Sequence, residues 1–142
     1  MSSSYPGAGF ARAHWALGLS LAAMQRLDEA IAALRRAVEL SQGSGVQLGS
    51  LGYACAAANR RTEARELIER LEASSRQHYV PPSAFALVDS GLGDRDGAFG
   101  WLEKAYEGRD PWVTGLNVEP MFDPIRSDPR VQDLVRRAGL PH

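Results

Sequence analysis

The sequence predicts an all-α solenoid, three antiparallel helix hairpins stacked in a row and closed by a short helical C-terminal cap. Three observations carry that prediction. An alanine recurs in the second helix of each hairpin, Ala30 in LDEAIAALRRAVEL, Ala64 in TEARELIERLEA and Ala98 in DGAFGWLEKAYEG, with 34 residues between successive copies. That period belongs to a two-helix repeating unit. Other positions keep the same phase: Gly18 returns as Gly52, Leu34 as Ile68 and Leu102, and Ala37 as Leu71 and Ala105. Finally, apolar residues recur at helical spacing, and no stretch alternates as a strand would.

The first helix is expected from Phe10 to Met24, with Trp15, Leu17, Leu21 and Met24 as its apolar positions. Gly18 lies inside it at a propensity cost of about 1 kcal/mol against alanine, which is offset if the partner helix must come close. That partner begins near Asp28, whose carboxylate suits a helix start, and presents Ala30, Ile31, Leu34 and Val38 on one face. The linker from Ser41 to Gly45 is turn chemistry. The second hairpin runs through VQLGSLGYACAAA, turns at Asn59, which tolerates left-handed backbone, and continues from about Arg61 to Gln77. Cys55 is in phase with Leu21 and reads as a small buried apolar residue. Pro81 and Pro82 favour a new helix start after His78 and Tyr79, and the third hairpin turns at Gly93, with Asp94 placed to cap its second helix.

The tail holds three Asp-Pro pairs, Asp110-Pro111, Asp123-Pro124 and Asp128-Pro129. Each reads as a capping residue followed by proline at the first helical position. The last segment is amphipathic through Val131, Leu134 and Val135 and stops at Gly139 and Pro141. The expected organisation is a leader over residues 1–9 and one domain over 10–142. Its repeats cover about 11–44, 45–78 and 79–110, and its cap covers 111–142.

Sixteen basic against seventeen acidic residues leave a net charge of −1, without the basic surplus that nucleic acid or an anionic membrane surface attracts. The single cysteine excludes an internal disulfide and fits a reducing, cytoplasmic setting. The apolar run HWALGLSLAAM is short and broken by Gly18 and Ser20, far below the roughly 20 residues a membrane span needs.

These residues resemble the tetratricopeptide repeat family. The first hairpin offers His14, Leu17, Gly18, Leu21, Ala30 and Leu34 to the family pattern, and the second offers Leu48, Leu51, Gly52, Cys55, Ala64 and Ile68. The third keeps Phe85, Ala86, Ala98 and Leu102 but has Pro82 and Asp89 where packing residues are expected. An unpaired buried carboxylate is costly, so Asp89 is expected to be exposed by a shifted helix or paired with an arginine. The tail FDPIRSDPRVQDLVRRAGLP is similar to the ends of tetratricopeptide segments on bacterial serine/threonine kinases, adenylate cyclases and winged-helix regulators. The resemblance implies a right-handed α-solenoid and a non-catalytic regulatory scaffold, part of a longer regulator or a free-standing relative of one.

In that family the first helices line a groove for a partner peptide. The corresponding positions here are Arg12, Trp15, Leu19, Val46, Gly49, Tyr53, Val80, Ser83 and Leu87. Trp15 and Tyr53 are the candidate anchors, because aromatic residues dominate interface energies, unless they simply pack between helices. The lysines and asparagines that clamp a terminal carboxylate in some members are missing. The tail apolar residues Met121, Phe122, Ile125, Val131 and Leu134 either cover the open edge of the third hairpin or enter the groove, or they dock on a second copy.

Catalysis and a metal site find little support. His14, His78 and His142 lack ligand spacing, and GDRDG at 93–97 resembles a calcium loop only in part and reads better as helix capping. The charged run of Glu63, Glu66 and Glu69 with Arg61, Arg65 and Arg70 reads as solvated helix surface. The expectation is therefore an interaction module for a protein or peptide partner, with no cofactor and no direct nucleic-acid or membrane partner. Self-association as a homodimer is the alternative.

Overall fold

The structure, a computed structural model, describes residues 8–41 and 45–139. Six helices form three hairpins: α1 (Ala8–Ala23) with α2 (Leu27–Ser41), α3 (Gly45–Ala57) with α4 (Arg61–Ser75), and α5 (Pro82–Leu92) with α6 (Arg95–Glu107). Two 3-10 turns, Pro111–Gly115 and Pro120–Phe122, lead into α7 (Asp123–Arg126) and α8 (Pro129–Arg137). The first helix begins inside the stretch expected to be a leader. Of the linker expected at 41–45, Ser41 still belongs to α2 and Gly45 already to α3, while residues 42–44 lie outside the described residues, as do Pro141 and His142.

The 34-residue phase is visible in the backbone. Gln25, Asn59 and Gly93 each adopt positive φ, at 63°, 66° and 77°. After each, the following amide reaches back five residues: Arg26 to the Leu21 carbonyl at 2.9 Å, Arg60 to Cys55 at 2.8 Å and Asp94 to Asp89 at 2.9 Å. This is the Schellman closure, in which a left-handed residue lets orphan helix carbonyls be satisfied. It fixes all three hairpin turns alike. The repeat alanines Ala30, Ala64 and Ala98 are fully buried at the hairpin contacts, as are Ala37, Leu71 and Ala105 one turn or two further on.

The shared glycine serves two purposes. A Cβ on Gly18 would meet the Leu34 side chain at 2.5 Å, within the first hairpin, whereas one on Gly52 would meet Val88 of the next hairpin at 2.5 Å. Along the same α3–α5 contact Gly49 lies against the Ala84 backbone and Gly91 against the Tyr53 carbonyl, so these two helices approach almost backbone to backbone. Cys55 is buried in the core between the first and second hairpins, and burial raises its thiol pKa.

Asp89 corrects the sequence expectation. It occupies the position of Leu21 and Cys55 in the turn motif and is only 9% exposed, with no ion pair to an arginine among the described residues. Its carboxyl lies beside Gly97 in the first turn of α6, where a Cβ would come within 2.8 Å of Oδ2. Burial first, then the charge of Asp94, push its pKa from 3.8 to about 6. The folded state therefore holds this proton more tightly than the unfolded chain does. The resulting stabilisation is complete below the unfolded pKa and is lost as pH rises through about 6. Asp89→Asn should raise stability at pH 7.5 by about 2 kcal/mol and flatten the pH dependence between 4 and 7, read as urea midpoints of the two proteins across that range. A parallel dependence in both would show that Asp89 is not the source.

The tail capping is mixed. Asp110 accepts from the Trp112 amide at 3.0 Å and Asp128 from the Arg130 amide at 2.9 Å, as helix starts require. Asp123 does not cap; it pairs with Arg126 on its own short helix. Asp94 caps α6 by accepting from the Gly97 amide at 3.0 Å, and Asp96 pairs with Arg130 of α8 at 2.8 Å.

The candidate partner-binding face

The first helices α1, α3 and α5 present the face on which the groove residues were placed. Over most of it the tail is already seated. Leu116, Met121, Phe122 and Ile125 join Tyr53 of α3 and Ala86 and Leu87 of α5 in one buried cluster, with Leu19 of α1 packed against it. The same cluster continues into Ala98 and Leu102 of α6 and Val131, Leu134 and Val135 of α8. The tail thus closes the third hairpin with α8 and covers the first-helix face with residues 111–126.

Polar contacts fasten it. The Ser90 hydroxyl donates to the Met121 carbonyl at 2.6 Å, and the Ser83 amide donates to Asp110 Oδ2 at 3.1 Å, both buried. Arg126 pairs with Asp123 and also donates to the carbonyls of Glu119 at 2.5 Å and Leu116 at 3.4 Å. That one guanidinium ties both ends of the loop between the 3-10 turns.

The structure divides the nine expected groove residues. Trp15, Leu19, Tyr53 and Leu87 are brought together beneath or beside the tail. Tyr53, 7% exposed, and the fully buried Leu87 and Ser83 cannot meet a partner, which corrects their assignment as an open lining. The physical reason is competition: the chain carries its own apolar segment for that face. Burial, then Asp123 and Glu119 of the tail, raise the Tyr53 pKa and keep its hydroxyl neutral. Gly49 is consumed by the α3–α5 contact. Val46 and Val80 are half-buried, Val80 standing against the start of α3 at Gly45, and Arg12 is exposed on α1.

An open slot of about 280 Å³ lies between α1 and the tail, lined by Trp15, Pro111, Trp112, Thr114, Gly115 and Glu119. The Trp15 indole N–H donates to Ser50 Oγ on α3 at 3.0 Å, which fixes its ring. The Trp112 ring lies 6.1 Å from it, centroid to centroid, with the planes inclined at 65°. Burial is the main reason that the Glu119 pKa is raised; the Met121 amide and Arg126 oppose the shift, and Asp123 adds to it. Trp112 and Glu119 are absent from the sequence reading. The available signal was Trp112 itself, an aromatic side chain placed directly after a capped Asp-Pro helix start.

On the opposite side a larger cleft of about 610 Å³ separates α2 from α4. Its floor is Val38, Leu51, Cys55 and Leu67, and its walls include the Arg35–Glu63 ion pair, Glu66 and Arg70. The charged run on α4 is solvated surface as expected, with Arg61, Arg65, Glu66, Glu69 and Arg70 exposed and Glu63 half-buried at the cleft. Among the described residues no group of three or more His, Cys, Asp or Glu side chains is placed to hold a metal ion. No helix of the described residues is long and apolar enough to cross a membrane.

Residues 11–44 match the family model of the tetratricopeptide repeat. No curated protein and no solved structure matches the chain. The matched repeat is the α1–α2 hairpin, about a quarter of the chain, and the hairpins that follow it continue an all-α stack similar to that of tetratricopeptide repeats.

Proposed function

We propose that the chain is a regulatory protein-interaction module that grips a partner at the part of its first-helix face left open by the tail. Tetratricopeptide repeats are in general protein-interaction modules. The observation that carries the finer reading is the Trp15–Trp112 slot, where two half-buried aromatic rings face open space. Aromatic side chains on a preformed wall bind with little entropy loss and dominate interface energies. A peptide library displayed on phage tests this. Selected peptides should lose binding at least about tenfold to the Trp112→Ala protein, as expected for a hot spot of 1.4 kcal/mol or more. An Arg70→Ala protein, altered in the opposite cleft, should bind them unchanged. If Arg70→Ala loses the peptides and Trp112→Ala keeps them, the site is the cleft and the proposal fails.

A second reading, self-association, has its own observation. Leu17 is 51% exposed, while its repeat counterparts Leu51 and Phe85 are 4% and 5% exposed. Phe10, seven residues earlier on the same helix face, and Met24, just past the helix end, are exposed too. This stripe is the face that the preceding hairpin covers in the later repeats. A mass that rises with concentration between about 1 and 100 µM and is returned to monomer by Leu17→Glu supports this reading. A constant monomer favours the slot.

A further inference from the structure

We propose that the slot reads positive charge: it takes the guanidinium of an arginine side chain from a partner peptide, stacked on Trp15 or Trp112 and balanced by Glu119. This rests on the slot being the partner site. The first argument is shape. Planes inclined at 65° meet edge to face and not stacked, and both indoles line the slot. A guanidinium is planar and weakly hydrated and stacks on such faces more readily than an ammonium does.

The second argument comes from the rest of the molecule. Among the described residues five aromatic side chains are half-buried: Trp15, Phe99, Trp101, Tyr106 and Trp112. The three on α6 each carry a cation over the ring, Lys104 on Trp101 at 4.5 Å, Arg130 on Phe99 at 5.1 Å and Arg137 on Tyr106 at 5.6 Å. Trp15 and Trp112, the two that line the slot, have none among the described residues. A half-exposed indole face is a place where the ring quadrupole attracts a cation by about 0.5–1 kcal/mol, and by more where water is excluded.

Charge is the third argument. Near the slot, Arg126 and Asp123 form an ion pair, and the guanidinium is further occupied by two carbonyls. Asp110, next to Pro111, is buried and already accepts from the Ser83 and Trp112 amides. Glu119, on the slot wall, is hydrogen-bonded by the Met121 amide and feels Arg126 at a distance but forms no ion pair among the described residues. A carboxylate in a partly desolvated wall favours a charged donor over a neutral one.

The chain has three tryptophans, so three indole N–H resonances report the test, and Trp101, stacked on Phe85 at 4.2 Å, serves as an internal control. The peptide Gly-Gly-Arg-Gly-Gly should shift Trp15 and Trp112 with a dissociation constant of about 1 mM, leaving Trp101 unmoved. Its citrulline analogue, the same shape without charge, should shift neither. Glu119→Gln should weaken the arginine peptide about threefold or more without changing the helical circular dichroism. Equal shifts with citrulline would overturn the charge reading and leave the slot as a partner site. Gly-Gly-Lys-Gly-Gly should bind more weakly than the arginine peptide, and an equal response to it would overturn the preference for a planar cation. If no peptide moves either indole, or Trp101 moves with them, the arginine site is refuted, while the phage selection judges the slot separately.

Discussion

Gly49→Val should destabilise the fold by about 3 kcal/mol or more, the largest effect expected of any single glycine in the stack. A Cβ at this position would stand 2.6 Å from the Ala84 carbonyl oxygen, 2.9 Å from its Cα and 3.1 Å from its carbonyl carbon. All three are backbone atoms of α5, so no rotamer change relieves the overlap; the helices must separate. Separation would open the contact at Gly52 and Val88 and the one at Gly91 and Tyr53 together. Overpacking typically costs about 1–3 kcal/mol where side chains can yield, and more where backbone must move. Gly100→Ala is the control. It lies exposed within α6 with nothing within 4 Å of its Cβ position, and should stabilise by about 0.5–1 kcal/mol through helix propensity alone. Urea unfolding of both proteins checks the pair, and a Gly49→Val protein as stable as the parent would mean that α3 and α5 are not packed in this way.

The hairpins were legible because the same physical solution is used three times. An alanine every 34 residues has to fit the same narrow helix contact, and Ala30, Ala64 and Ala98 are all without exposed surface. Asn59 and Gly93 announced their turns by residue type. Gln25 did not, since its left-handed backbone is imposed by the motif against its own preference, and only phase with Asn59 reveals it.

The candidate site was legible in part. Trp15 stands out as an aromatic at a repeat position facing the next first helix, and it does line the slot. Tyr53, Ser83 and Leu87 share that periodic logic yet are buried, because periodicity says which face a residue takes and not what later covers it. The apolar residues of the tail gain as much from covering the first helices as from covering the third hairpin. Choosing between these needs the path of the chain through Asp110 and Pro111, which two short 3-10 turns determine and no periodic pattern encodes. Trp112 and Glu119 escaped notice for the same reason, being placed by those turns. Asp89 shows the converse: its burial follows from repeat phase with Leu21 and Cys55, whereas its charge argued for exposure, and the backbone motif prevailed.

If the tail is an integral layer and not a loose flap, Phe122→Ala should cost about 3–5 kcal/mol, within the range for truncating a fully buried phenylalanine. Phe122 has no exposed surface and belongs to the cluster that joins the tail to Tyr53, Leu87 and Leu102. Its neighbour Met121 is held through its carbonyl by Ser90, so the backbone cannot readily shift to refill the space. Two outcomes separate the possible roles of the tail. Loss of stability in one cooperative transition, with the midpoint of α1–α6 falling together with the tail, makes the tail part of the core. Loss limited to residues 111–137 in hydrogen exchange, with α1–α6 still protected, makes the tail a displaceable cover. The buried area argues for the first outcome. The cluster reaches through α5 and α6 without a polar boundary, and the fully buried Ser90 hydroxyl would lose its acceptor if the tail lifted. A partner would then have to use the slot beside the tail and not the face beneath it. That consequence can be checked on one sample: peptides selected on the parent protein should leave the exchange protection of Met121 and Phe122 unchanged when they bind.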